Sequence, residues 1–190
     1  LADINMPSPF TRIGPGPASI VKPDLVFYGG NASVINGKGR YTGVKSFTPS
    51  GDVGGAAGTS FSTPGVSRIA GELSFLLSEN FDPLLIRALL IHYAKYPDGI
   101  RMKMADKISQ MGFGIPVSAN EILYNSPDEI TLVLRDTLEK GSFIEMFDFP
   151  YPPSLIDEHG NFTGQIILTV VNKSLVDENS QENIANPILM

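Results

Sequence analysis

Ser60 closes a glycine-rich run, GGAAGTS (54–60), and opens an apolar stretch that carries Pro64 four residues on. Small residues let a backbone turn sharply and approach a ligand closely. Val66, Ile69, Ala70, Leu73, Leu76 and Leu77 recur at helical spacing, which predicts a buried helix from about Ser60 to Leu77. Pro64 is expected in its first turn, where a missing N–H costs least. Ser60 then sits at a helix N-terminus, where backbone N–H groups are unpaired and the dipole favours negative charge. That environment suits a nucleophile and its oxyanion. The plainer reading makes Ser60 only a helix N-cap residue.

Other chemistries fit these residues less well. The loop ends in Thr59-Ser60 like a phosphate loop but lacks the lysine that reaches the phosphates. GTSFS also approaches a Gly-x-Ser-x-Gly elbow, yet Ser62 stands in place of the second glycine and no usable acid–histidine pair follows. There are two histidines. His92 lies well inside a predicted helix and reads as a core or groove-lining residue. His159 sits in a turn beside Asp157 and Glu158, where a surface metal site is a minor alternative. Two histidines so far apart form no zinc constellation. Asp3, Asp24 and Asp52 are acids by type alone.

The chain has 190 residues, 42% of them hydrophobic, enough for one sizeable core or two small ones. A formal net charge of −6 and no basic stripe argue against sequence-independent nucleic-acid binding. With no cysteine, disulfides and thiolate metal sites are excluded. No apolar run is long enough to span a bilayer. LADINMPSPF lacks the basic and apolar blocks of a signal peptide, and the compartment stays open. Asn-x-Ser/Thr sequons begin at Asn31, Asn161 and Asn172.

Two regions differ in character. In residues 1–124, Leu25 to Tyr28 reads as a short buried strand, and Asn36-Gly37 signals a hairpin. A second helix is expected from a cap at Asp82, with Pro83 at its first position, to a stop before Pro97. GFGIP (112–116) gives a glycine-rich turn, and a short helix follows near Ser118 to Leu123. Residues 125–190 hold β-rich runs, EITLVLRDTL, SFIEMFDFPYP and TGQIILTVVNKSL, separated by turns such as His159-Gly160-Asn161. Phe143, Ile144, Phe147, Phe149, Tyr151 and Ile166 to Leu168 are expected to fill a small antiparallel sandwich. From Asp177 to Met190 the chain is polar and has no clear closing element, so the sandwich is expected to be incomplete.

GTSFSTPGV (58–66) resembles the serine motif of the subtilisin-like serine proteases. FTRIGPG (10–16) is similar to that family's Phe-Ser-Ser-x-Gly-Pro segment, and KPDLVFYGG (22–30) to its Lys-Pro-Asp strand. GFGIP matches its Gly-x-Gly turn. The resemblance covers about Ser8 to Leu123. Arg12, Tyr28 and Arg68 depart from the pattern.

The resemblance implies an α/β fold. Residues 1–124 would be the C-terminal half of a three-layer domain with a mainly parallel sheet, followed by the β-rich domain at 125–190. It implies a serine endopeptidase forming an acyl-enzyme at Ser60, whose own N–H donates to the oxyanion. Asp24 falls on the scaffold strand rather than in a catalytic role. Family order places the catalytic aspartate, histidine and an oxyanion asparagine upstream, and only 59 residues precede Ser60. Alone, the chain is therefore expected to be inactive, because a serine hydroxyl needs a base.

Peptide or protein substrates are implied, and no organic cofactor. Calcium stabilises many relatives, but no residues here are assignable to it. The exposed half-domain is expected to pair with its missing half or with a second copy. The reading from a different class is a non-catalytic pseudo-protease or assembly module acting through the β-rich region.

Overall fold

The computed structural model describes residues 1–16, 20–78, 81–124, 128–139 and 141–173. β1 (Asn31–Ile35) and β2 (Lys38–Thr42) pair antiparallel, with Asn31 opposite Thr42 and Ile35 opposite Lys38. Asn36 and Gly37 turn between them at φ 51° and 74°. Two successive positive φ values define the tight hairpin turn that Asn-Gly favours. The sequence signal for this hairpin was sound.

A second antiparallel hairpin, β3 (Val44–Phe47) with β4 (Val53–Ala56), has no counterpart in the sequence reading. Its loop closes through both backbone and side chains, with Gly51 N–H donating to the Thr48 carbonyl at 2.9 Å. Thr48 N–H donates to the Asp52 carbonyl at 2.8 Å, and the Ser50 hydroxyl donates to the Asp52 carboxylate at 2.9 Å.

α1 (Thr59–Leu76) matches the expected helix to within one residue at each end. Pro64 needs a correction: it lies in the second turn, not the first. Having no N–H, it leaves the Ser60 carbonyl without its i+4 donor. α2 (Pro83–His92) starts where expected. The Asp82 carboxylate accepts from Leu84 N–H at 3.0 Å and Leu85 N–H at 3.3 Å, with proline at the first position. It ends at Tyr93, four residues short of the expected stop. There the chain leaves to form a two-way bridge, in which Lys95 and Ile115 exchange N–H···O bonds of 2.9 Å.

α3 (Met104–Met111) was not anticipated, because it shows the core little beyond Met111. α4 (Ala119–Leu123) confirms the short helix, with Ser118 and Glu121 forming a reciprocal capping box. The core forms where α1, α2 and α4 meet. Leu73 is fully buried there, with Ile69, Ile86, Leu89, Leu90 and Ile122 around it.

Leu25 to Tyr28 is a second correction. It belongs to no strand; Val26 N–H donates to the Gly114 carbonyl at 3.0 Å instead. Neither the expected parallel sheet nor the antiparallel sandwich over 125–190 is found among the described residues. The described part of that region is irregular chain with several turns, one short 3-10 turn at Pro153–Leu155 and one bridge between Ile156 and Phe162. An apolar alternating run becomes a strand only when a neighbour takes up its backbone groups. Phe143, Phe147 and Leu168 are correspondingly exposed.

Part of this irregular chain is tied to α2. The Tyr93 hydroxyl bonds the Thr131 hydroxyl, and Arg135 pairs with Asp82 at 3.1 Å. Four extended residues reach about 13 Å, close to the rise of about 16 Å between Asp82 and Tyr93 along a helix. Residues 131–135 therefore run lengthwise along α2, in the opposite direction. A further stretch adds a bond of 2.9 Å between His92 Nδ1 and the Thr169 hydroxyl.

Asp82 thus serves both as cap and as anchor. Asp82→Ala should lower the unfolding free energy in urea by about 1–2 kcal/mol. Asp82→Ser should recover most of that, since Arg135 is largely exposed and such pairs contribute at most about 1 kcal/mol.

Candidate active site

Ser60 is the second residue of α1. The N-cap is Gly58, which removes the reading of Ser60 as a cap residue. Gly58 enters the helix at φ 155° and ψ 161°, a conformation open in practice only to glycine. No side chain caps this end. Phe61 N–H donates to the Gly58 carbonyl at 3.1 Å, while the N–H groups of Thr59 and Ser60 are those a helix start leaves without an internal acceptor. The Ser62 hydroxyl turns back to the Thr59 carbonyl. Among the described residues the Ser60 hydroxyl has no hydrogen-bond partner.

The segments similar to the protease family converge on this helix start. Gly58 N–H donates to the Gly29 carbonyl at 2.7 Å, and the Ser8 hydroxyl to the Gly30 carbonyl at 2.6 Å. Gly65 of α1 lies against the Phe27 ring so closely that a Cβ there would come within 2.4 Å of it. On the other side, Gly112 turns at φ 59° under the same segment, and its Cβ position lies 2.0 Å from the Pro23 carbonyl oxygen. Gly14 N–H donates to the Ser109 carbonyl at 2.7 Å, which fixes residues 10–16 on the end of α3.

The result is an open cleft of 1210 Å³ lined by Ser60 and, among others, Phe10, Arg12 and Tyr28. Asp24, Lys22 and Arg87 also line it.

Asp24 belongs to the scaffold. Both Lys22 and Arg87 bond its carboxylate, Arg87 at 2.6 Å. Partial burial opposes the charge, but the hydrogen bonds and charges of these two cations outweigh it and hold the carboxyl below its ordinary range. Asp3 and Asp52 serve local turns: the Asp3 carbonyl accepts from Met6 N–H, and Asp52 closes the β3–β4 loop.

His92 is half-buried and held by Thr169, and its ring meets Tyr93 edge-on at 5.1 Å. His159 is exposed, 3.7 Å from Glu158. Asp157 is occupied by the Asn161 and His159 N–H groups, which keep its carboxyl below the usual range. No group of three or more His, Cys, Asp or Glu among the described residues is arranged to hold a metal ion. Neither histidine is among the described residues lining the cleft.

Of the residues that depart from the family pattern, Arg68 is exposed and paired with Glu72 one turn on. Tyr28 is exposed and packs edge-on against Phe27. Of the sequons, Asn31 is engaged by Ala2 through both its amide groups, and Asn161 donates to Asp157.

An unpartnered serine hydroxyl and unpaired N–H groups thus meet at a helix N-terminus on the wall of an open cleft. Residues 2–115 match the model of the Subtilase family, and the chain belongs to that family. The comparisons with curated proteins and with solved structures give no match. Membership carries an α/β fold and, at family level, a serine-protease class of hydrolase.

The Asp24 cluster sets a pH dependence. Its folded pKa lies below the unfolded one, so its contribution is complete above about pH 4 and is lost as pH falls through the folded value. Unfolding free energy measured from pH 6 to pH 2 should fall less steeply in Asp24→Asn than in the parent chain, and the variant should be less stable at pH 6.

Proposed function

We propose that Ser60 is the nucleophile of a subtilisin-type serine endopeptidase, cleaving peptide bonds through an acyl-enzyme. The single observation that carries this is the free Ser60 hydroxyl, opening on the cleft beside the unpaired N–H groups of Thr59 and Ser60, inside the family-matched segment. In the reaction the hydroxyl loses its proton to a base and attacks the scissile carbonyl, and the Ser60 N–H donates to the resulting oxyanion.

The base is not one of the two histidines here. His92 is bound to Thr169 and His159 lies beside Glu158. The catalytic aspartate, histidine and oxyanion asparagine come instead from another part of the full gene product or from a partner chain. Alone, these 190 residues are inactive.

The same reading covers the architecture. Residues 1–124 form the C-terminal part of a three-layer domain in which 25–28 becomes a strand once neighbouring strands pair with it. Residues 125–190 form a β-rich appendage.

A fluorophosphonate probe tests the assignment. The full gene product should label at Ser60, its Ser60→Ala variant should not, and the 190-residue chain should label at a rate at least about a hundredfold slower, having lost its base. Absence of labelling in the full product would make Ser60 a scaffold residue of a pseudo-protease.

A further inference from the structure

Three cations line the cleft among its described residues: Arg12, Lys22 and Arg87. Two of them are spent on one carboxylate, since Lys22 and Arg87 both bond Asp24. Arg12 is exposed and has no acceptor among the described residues. It also stands where the family motif has a small hydroxyl residue. Its position is fixed by the backbone, because Thr11 N–H donates to the Ser8 carbonyl and Gly14 N–H to the Ser109 carbonyl on either side of it.

We infer that Arg12 makes the site select peptides bearing a carboxylate next to the scissile bond. This rests on the reading of Ser60 as the nucleophile. A guanidinium stays charged at any working pH and presents a planar fork that matches a carboxylate through two parallel hydrogen bonds. Phe10 and Tyr28 line the same cleft and offer apolar surface beside the charge. The chain as a whole carries a net charge of −6, so long-range attraction does not draw acidic peptides in. The preference is local to Arg12.

The test uses the full gene product and peptide sets in which each position within three residues of the cleaved bond is Glu, Gln or Lys. At one of these positions kcat/KM should favour Glu over Gln by about ten- to a hundredfold. Arg12→Gln should abolish that preference, and Arg12→Glu should turn it toward Lys. The rate of fluorophosphonate labelling at Ser60 should stay within about twofold of the parent in Arg12→Gln, which shows an intact site independently of peptide charge. Labelling and cleavage with no acidic preference, or a preference that survives in Arg12→Gln, overturns this inference alone. No labelling and no cleavage overturns the Ser60 reading, and this one with it.

Discussion

The structure depends on one close passage of backbone. Residues 22–30 thread between α1 and the turn at Gly112, near enough that side chains are excluded on both sides. Gly112 underlies the Pro23 and Asp24 carbonyls, Gly65 abuts the Phe27 ring, and Gly29 bonds Gly58 directly. Interiors packed at this density do not absorb an added methyl group without moving a neighbour. The glycines therefore set the height at which Ser60 emerges from the wall of the cleft.

Charge is distributed with the same economy. Asp24 lies on the threaded segment and collects cations from two places, Lys22 beside it and Arg87 on α2. The pairing ties α2 to the segment that positions α1. From its other side α2 is held by 131–135 and by Thr169. A helix of ten residues is too short to persist alone, and these outside contacts supply what its own hydrogen bonds cannot.

Local signals were legible in the sequence, and signals that need a distant partner were not. Asp82-Pro83, Asn36-Gly37 and the apolar spacing from Val66 to Leu77 act within a few residues, and each gave its element. The family resemblance around Ser60 was equally readable, because it is carried by adjacent positions, and the match over residues 2–115 bears it out. The runs at 25–28 and 130–134 have strand-like composition, but composition cannot supply the neighbouring chain that a ladder requires.

α3 escaped notice because only Met111 of its residues is buried. The β3–β4 hairpin did so although Ser50-Gly51 is a turn signal, because its short strands, with Gly54 and Gly55 in β4, carry little apolar alternation. Pro64 is the sixth residue of α1 counted from Thr59, and so falls in the second turn.

That proline has a consequence for how the molecule ages under heat. Because Pro64 cannot donate to Ser60, the first turn of α1 lacks one of the bonds that would join it to the rest of the helix. It is kept in place by the Gly29–Gly58 bond and the Phe27 contact instead. The buried cluster around Leu73 lies further along the helix and does not share that dependence. Opening of the first turn is thus a local event, with its own free energy below that of the whole core. The turn that carries Ser60 can then open on heating before the buried cluster around Leu73 melts.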